Sequence, residues 1–242
     1  IINGFAVTNQ CEYIGSRTFN DSGNRDSDTL NSSSECHALS PIVSLLGKGK
    51  LYYGGDNNLD NSGILSHLVV KHGGGLASGS PAAITLNGVG ERTVINNIQV
   101  YSSYANGIAV IGGTVNMQNL SSVYARDDSL RIDEGYTGSI RYGLLIQSQY
   151  NGNHCVEADG IGNYLGRSTE TINDIINRGL NSRPVLSNLT CVFSPNGVAD
   201  ANDAANPAKQ GTYGPGAGYL LREGSYPQII DSLIVGSFAA AI

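Results

Sequence analysis

Short apolar stretches of similar pattern recur along the chain, separated by polar segments that are rich in Gly and Asn. Six of these stretches place apolar residues on both sides of a polar centre, and they begin at Ile64, Val94, Val115, Ile140, Val185 and Ile229. Their starts lie 30, 21, 25, 45 and 44 residues apart, which indicates a structural unit of roughly 20–25 residues with insertions. Because each unit combines a strand pattern with turn residues, we predict an all-β fold. It is a right-handed parallel β-helix, a solenoid, with one short flanking helix and long loop insertions.

A second, shorter strand pattern follows each of the middle units. These stretches share alternating apolar residues, and they are Ala83–Leu86, Gly107–Ile111, Ser129–Asp133 and Cys155–Asp159. Side chains of a strand alternate between its two faces. The predicted inward pairs are therefore Ile84 and Leu86, Ile108 and Val110, Leu130 and Ile132, and Val156 and Ala158.

The pattern predicts one domain that covers residues 1–242, since a solenoid has one continuous core. We expect an irregular N-terminal region at 1–50, regular coils at 51–160, a helical insertion at 161–184, and further coils at 185–242 that contain a loop at 194–218. In the insertion, Ser168 is placed to cap a helix whose apolar stripe includes Ile172, Ile175 and Ile176. The first residue is not Met and the last coil has no polar cap, so we expect the chain to be part of a longer one.

Composition excludes two classes of partner. The chain carries a formal net charge of −6, which a nucleic-acid backbone repels, so we expect no nucleic-acid partner. It contains no run of 18 apolar residues, so we expect no membrane span.

The four cysteines fall into two near pairs, Cys11 with Cys36 and Cys155 with Cys191. An even count in a chain rich in Gly, Asn and Ser favours disulfides and export from the cell. We therefore predict two disulfides, Cys11–Cys36 and Cys155–Cys191. Two alternatives remain: Cys155 and Cys191 can have separate partners, or all four cysteines can be buried free thiols. The chain has no C-x-x-C spacing, which argues against a cysteine-ligated structural zinc site.

Several motifs over residues 50–195 carry a family resemblance. They keep a specific order along the chain: Asp60–His67, Ala83–Gly90, Gly112–Asn116, Asp127–Tyr136 and Val156–Asp159. Together they resemble a family of bacterial secreted proteins and lipoproteins with a right-handed parallel β-helix, in the pectin-lyase-like superfamily. The resemblance implies the fold and a secreted, extracellular or cell-surface location, and it implies no reaction. The family often has acidic residues where this chain has Ala105, Asn106 and Ala109.

The densest polar cluster lies on the short strands of the middle coils. Stacking adjacent coils about 4.8 Å apart puts Asp133 beside Asp159 and Arg131 beside Glu157, with Asp127 on the same outward face. Three uses of this acidic patch follow. Asp127, Asp133 and Asp159 can form a Ca²⁺ site, or Asp127, Asp133, Glu157, Asp159 and Arg131 can act in acid–base catalysis on a sugar. The third is a solvated face of ion pairs, each worth under about 1 kcal/mol.

Asp127 and Asp128 resemble the paired aspartates of the polygalacturonases, another β-helix family. That family also has Gly-His-Gly and Arg-x-Lys motifs. This chain has Gly152-Asn-His154 and no Arg-x-Lys, so the catalytic roles are not transferred. A pectate-lyase mechanism needs Ca²⁺ and a basic arginine, for which Arg131 or Arg141 is available.

Aromatic residues give a further indication. Tyr52, Tyr53, Tyr101 and Tyr104 are among the 13 tyrosines, and such rings either stack on sugars or cover the edges of the core. Our first hypothesis is an exported structural, adhesion or polysaccharide-binding element without a required cofactor. In this hypothesis copies can associate through open solenoid ends. The alternative is a polysaccharide lyase or glycoside hydrolase that uses the acidic patch, with Ca²⁺ as the candidate cofactor.

Overall fold

The computed structural model describes residues 1–9, 53–75, 82–147, 152–162, 164–193, 217–236 and 241–242. The short strands form one sheet, in the order β1 (Ile2–Asn3), β3 (Ile84–Asn87), β5 (Ile108–Ile111), β7 (Leu130–Asp133), β9 (Val156–Asp159) and β11 (Tyr219–Arg222). The long strands form a second sheet, in the order β2 (Ile64–Lys71), β4 (Val94–Tyr101), β6 (Met117–Val123), β8 (Ser139–Ile146) and β10 (Val185–Val192), with β12 (Gln228–Ile230) and β13 (Leu233–Val235) both beside β10. Each strand pairs in parallel with the strand one coil away, so the predicted parallel β-helix is confirmed.

The core lies between the two sheets. All eight predicted inward residues of β3, β5, β7 and β9 are buried, and Leu86, Val110, Ile132 and Ala158 have no exposed surface. They pack against apolar residues of the long strands in one continuous cluster. Burial of apolar surface from both sheets therefore stabilises the solenoid along its length.

Each long strand bends at one residue in the left-handed conformation. Six residues with φ between +47° and +57° occupy this position: His67, Asn97, Asn119, Tyr142, Asn188 and Asp231. They align across the coils because the pairs on both sides of them are in register. Asn, Asp and His tolerate this conformation better than most residues do. The middle coils therefore each have two strands, as the pattern predicts, and the long strand of each coil also bends at this residue.

The first nine residues form an axial strap, which we call the N-terminal strap. The Gly4 N–H donates to the Asn87 carbonyl oxygen at 2.9 Å, and the Asn9 N–H donates to the Glu134 carbonyl oxygen at 2.9 Å. The Asn9 side-chain amide donates to the Gly160 carbonyl oxygen at 2.9 Å. This part of the region expected to be irregular therefore contacts four successive coils, and residues 10–50 lie outside the described residues.

The insertion contains a 3₁₀ turn, Tyr164–Gly166, and helix α1, Thr169–Asn177. The Ser168 hydroxyl accepts a hydrogen bond from the Thr171 N–H, as predicted for the N-cap. Ile175 is fully buried, so α1 attaches to the solenoid through its apolar side. Of the helices in the described residues, none has the length and apolar character that crossing a membrane requires.

A disulfide joins Cys155, just before β9, to Cys191 in β10. Neither residue has exposed surface, so the bond crosses the interior and links the two sheets. This pairing is the one predicted. Cys11, Cys36 and most of the predicted loop 194–218 lie outside the described residues.

Candidate functional site

Charged side chains gather on the outer side of the short strands of three successive coils. The register pairs Arg131 of β7 with Glu157 of β9 and Asp159 of β9 with Arg222 of β11. The loops that lead into β7 and β9 add Asp127, Asp128 and His154. We call the set the charged cluster: Asp127, Asp128, Arg131, Asp133, His154, Glu157, Asp159 and Arg222.

Two guanidinium groups connect the carboxylates of the charged cluster. Arg131 Nη2 lies 3.4 Å from Asp133 Oδ2 and 3.7 Å from Asp159 Oδ2. Arg222 donates from Nε to Asp159 Oδ1 and from Nη2 to Glu157 Oε1, each at 2.6 Å. The ion pairs therefore tie together the coils of β7, β9 and β11.

The ion pairs across coils that one alternative predicted are present in this cluster, but its carboxylates are far less exposed than those of a solvated face. The side chains of Glu157 and Asp159 are only 8% and 4% exposed. Arg222 covers both carboxylates, although it lies 63 residues beyond Asp159 in the chain. Arg222 was not among the predicted site residues, because a long insertion separates the two coils. The in-register continuation of β9 into β11 was the pattern that could have indicated it.

His154 lies between two carboxylates. Its Nδ1 is 3.0 Å from Asp128 Oδ1 and 3.6 Å from Glu157 Oε2, and its backbone N–H donates to Asp128 Oδ1 at 3.1 Å. The Asn106 side-chain oxygen accepts from the Asp128 N–H at 3.0 Å and fixes the loop. Asp128 and His154 belong to the motifs of the partial resemblance to polygalacturonases, from which no role was transferred, and the structure brings both beside the predicted site residue Glu157.

Burial and mutual contact alter the pKa values of this group. Burial lowers the pKa of His154, but Asp128 and Glu157 outweigh it and raise that pKa to about 9. Burial raises the pKa of Asp128 to about 7, although the hydrogen bond with His154 acts to lower it. Burial raises the pKa of Glu157, but His154, Arg131 and Arg222 outweigh it and lower the pKa overall. The imidazole is therefore protonated at neutral pH and held by two buried carboxyl groups.

Asp127 lies beside this group and is half-buried. Burial, followed by the nearby Glu157, raises the pKa of Asp127. A raised pKa is the direction of shift that a general acid needs, so Asp127 is the carboxyl group of the cluster on which a catalytic alternative can be based. Arg222 forms ion pairs with the neighbouring Glu157 and Asp159. These pairs limit the use of either carboxylate as the second catalytic group beside Asp127.

The arginine base of a lyase mechanism fits poorly. Burial lowers the pKa of Arg131, but the carboxylates of Asp133, Glu157 and Asp159 outweigh it and raise the pKa. Arg131 would have to be deprotonated to act as a base, and the surrounding carboxylates oppose the loss of its proton. Arg141 lies on β8 in the other sheet, where it lines a separate groove of about 430 Å³. The structure thus does not bring Arg141 to the charged cluster.

The predicted Ca²⁺ ligands are divided between two parts of the cluster. Asp133 and Asp159 both lie against Arg131. The charges that most affect Asp127 are those of Glu157, Arg131 and His154, and Asn153 bonds to its side chain. A guanidinium therefore lies at the position between Asp133 and Asp159 where a shared cation is expected.

An aromatic row follows the ends of three long strands. His72 contacts Tyr101 and Tyr101 contacts Tyr124, both edge to face, with ring centroids 6.2 and 5.9 Å apart. Tyr101 is 36% exposed and Tyr124 is 43% exposed. We call His72, Tyr101 and Tyr124 the aromatic row. It runs across three coils, and Tyr124 begins the loop at 124–129, which contains Asp127.

The other predicted aromatics have different positions. The Tyr104 ring packs under the Arg126 guanidinium, whose carbon lies 4.2 Å from the ring centroid. Tyr53 is buried and donates to Glu134 Oε2 at 2.9 Å, so it belongs to the core edge. Tyr52 lies outside the described residues.

We predict that Asp133 makes stability depend on pH. Burial, then the charge of Asp159, raises the pKa of Asp133 to about 6, against the effect of Arg131. The folded state then holds a proton between about pH 4 and 6 that the unfolded chain has lost. Protonated Asp133 therefore adds about 2–3 kcal/mol to the free energy of unfolding. This contribution is full below about pH 4 and is lost as the pH rises through 6.

Urea unfolding of the wild type and of Asp133→Asn at pH 4 and pH 7 measures this effect. We expect the wild type to lose stability relative to the variant between these pH values. A difference between the two proteins that does not change with pH contradicts the prediction. Other titrating groups cancel in the comparison, because both proteins carry them.

Comparison with known proteins agrees with this architecture. Residues 30–242 match the family model of the pectate-lyase-like β-helix domain. Neither the curated proteins nor the solved structures gave a match. The parallel coils and this match together show that the chain belongs to the family of pectate-lyase-like β-helix domains.

Proposed function

We propose that this domain is an exported, non-catalytic element that binds a polysaccharide through the aromatic row. The observation that carries the proposal is the exposure of Tyr101 and Tyr124 on successive coils, in edge contact with each other. Tyrosine combines an apolar ring with a polar hydroxyl. Such a ring packs against the C–H face of a sugar and leaves its hydroxyl to bond to the sugar's own hydroxyls.

The solenoid gives the row a useful geometry. Adjacent coils repeat at about 4.8 Å, and the tyrosine centroids are 5.9 Å apart. A chain of sugars that lies along the axis can therefore touch more than one ring. Several weak contacts along one ligand add up to useful affinity, because the later ones form within a complex that already exists.

The charged cluster supports binding more than catalysis. Asp128 is bonded to His154, and Glu157 and Asp159 are bonded to Arg222. Carboxyl groups in such pairs are poorly available to a substrate. Asp127 is the exception, and it gives the alternative of glycosidic cleavage its one specific support.

The disulfide supports the proposed location. Disulfides form and persist mainly in oxidising compartments outside the cytosol, and Cys155–Cys191 is a buried bond of the folded chain. The proposal therefore places the domain at the cell surface or outside the cell.

The experiment is a binding screen with product detection. Purified protein is run through gels that contain neutral or acidic polysaccharides, and the same mixtures are assayed for new reducing ends and for unsaturated products. We expect retardation by at least one polysaccharide without products. Retardation by none refutes the binding role. New reducing ends without unsaturated products, lost in Asp127→Asn, refute the non-catalytic role and establish hydrolysis. New reducing ends that come with unsaturated products also refute it and establish a lyase.

A further inference from the structure

We propose that Asp128, His154 and Glu157 form a binding site for one divalent transition-metal ion of the zinc class. The proposal concerns a different set of residues from the aromatic row and does not depend on polysaccharide binding. It also differs from the Ca²⁺ site predicted from the sequence, which used Asp127, Asp133 and Asp159.

The distances between the three groups fit a tetrahedral site. Each residue has a potential ligand atom, and these atoms all lie within 4.8 Å of one another. His154 Nδ1 is 3.0 Å from Asp128 Oδ1 and 3.6 Å from Glu157 Oε2. Ligands about 2.0–2.2 Å from Zn²⁺ in a tetrahedron lie about 3.3–3.6 Å from each other. The two distances from the imidazole are thus within a few tenths of an ångström of the tetrahedral values, and the two carboxylate oxygens, which lie within 4.8 Å of each other, can close on one ion by side-chain rotation.

Neighbouring groups orient the ligands. Arg222 Nη2 donates to Glu157 Oε1 at 2.6 Å, which leaves Oε2 directed at the imidazole. The Asn106 side-chain oxygen accepts a hydrogen bond from the Asp128 backbone N–H and so fixes the loop that carries this ligand. Hydrogen bonds of this kind to metal-binding side chains are typical of metal sites in proteins.

The donor set selects the class of metal. An imidazole nitrogen with two carboxylates suits Zn²⁺ and similar ions, whereas Ca²⁺ takes six to eight oxygen ligands. Charge also favours a divalent cation, since the charged cluster contains five carboxylates and two guanidiniums. Three protein ligands leave a fourth position for water or another small ligand.

The binding step exchanges a proton for the metal. His154 carries a proton on Nδ1 when it is hydrogen-bonded to Asp128 as an imidazolium. The ion takes the Nδ1 lone pair and this proton passes to solvent, while the two carboxylates become ligands. No oxidant or reductant takes part.

The test is calorimetric titration of the chelator-treated, dialysed protein with Zn²⁺ alone and with Ca²⁺ alone. We expect one Zn²⁺ per chain and much weaker or no binding of Ca²⁺. Bound Co²⁺ provides a second readout, because its visible absorption is far stronger in four-coordinate than in six-coordinate sites.

Variants separate the site from its surroundings. His154→Gln and Glu157→Gln keep hydrogen bonding in place, and we expect each to abolish the stoichiometric binding. Arg222→Ala removes the orienting contact to Glu157 and is expected to weaken binding by about 10-fold. His67→Asn, which replaces an exposed histidine of β2 with the residue found at the same bend in β4, serves as the control that keeps full affinity. Circular dichroism verifies that each variant is folded.

Two results overturn the proposal. One is absence of stoichiometric Zn²⁺ binding to the wild type, which leaves His154 as an imidazolium held by its two carboxylates. The other is binding that survives in folded His154→Gln. Polysaccharide retardation is a separate measurement that concerns the aromatic row and none of these three ligands. Failure of the metal site therefore leaves the proposed function standing, and failure of the proposed function leaves the metal site standing.

Discussion

Replacing Gly160 with Ala is expected to destabilise the fold by about 3 kcal/mol or more. Gly160 follows β9, and an added Cβ would lie 2.3 Å from the Glu223 carbonyl oxygen and 2.3 Å from the Ser225 nitrogen. Both are backbone atoms of the next coil. The Gly160 carbonyl also accepts from the Asn9 side chain of the N-terminal strap. The backbone therefore cannot shift without disturbing the strap or the next coil.

Gly143→Ala is the matched control. There an added Cβ lies 2.7 Å from Leu189 Cδ2, and the next nearest atom is 3.9 Å away. The end of a leucine side chain can rotate away, so we expect a loss of about 1 kcal/mol. Urea unfolding of both variants measures the difference. A loss below about 1 kcal/mol for Gly160→Ala contradicts the close approach of these two coils.

Reduction of the Cys155–Cys191 disulfide is expected to lower the free energy of unfolding by about 2–5 kcal/mol. The bond joins residues 36 apart in sequence, and it limits the unfolded chain by closing a loop of that size. It also joins the two sheets through the core. Comparing the oxidised wild type with protein that was unfolded, reduced and refolded keeps the amino-acid sequence the same, although it also reduces the predicted Cys11–Cys36 bond.

Denaturant unfolding with and without reductant measures this effect. Both sulfur atoms are buried, so reduction has to be carried out on the unfolded chain. Cys155→Ala/Cys191→Ala provides a second comparison, although it also leaves a small cavity. Equal unfolding midpoints for oxidised and reduced protein contradict a stabilising role for the bond.

Local sequence patterns predicted the strands of the solenoid well. The alternation of apolar and polar residues in Leu130-Arg-Ile-Asp133 predicted the inward residues of β7 correctly. In a short strand without a bend, successive side chains point to opposite faces along the whole strand. In β4 the buried residues are Ile95, Ile98 and Val100. Asn97 in the left-handed conformation shifts the alternation there, and a pure alternation pattern does not predict such a bend.

Contacts between distant coils could be predicted only in part. Stacking of regular coils correctly paired Arg131 with Glu157, because their strands are adjacent in sequence. It did not predict Arg222, whose coil follows a long insertion. It also did not predict Asn9, whose hydrogen bonds reach Gly160 and Leu180 through the N-terminal strap. Such contacts depend on how segments pack, and periodicity carries no information about them.

The burial of the charged cluster also could not be predicted from the sequence. Polar residues at outward positions of a strand normally face water, and Asp133, Glu157 and Asp159 all occupy such positions. The guanidiniums of Arg131 and Arg222 cover them instead. The cluster therefore combines raised and lowered pKa values that an exposed patch does not have.

The most direct test of the account is the affinity of the aromatic row for the polysaccharide that retards the protein most. Calorimetry compares the wild type with Tyr101→Ala/Tyr124→Ala and with Tyr142→Ala, which removes a tyrosine that is 57% exposed at the bend of β8. We predict that the double variant loses affinity by about 10-fold or more, as expected when aromatic anchors are removed. We predict that Tyr142→Ala binds like the wild type. Equal affinity of the double variant and the wild type contradicts the account, because the polysaccharide then binds elsewhere on the solenoid.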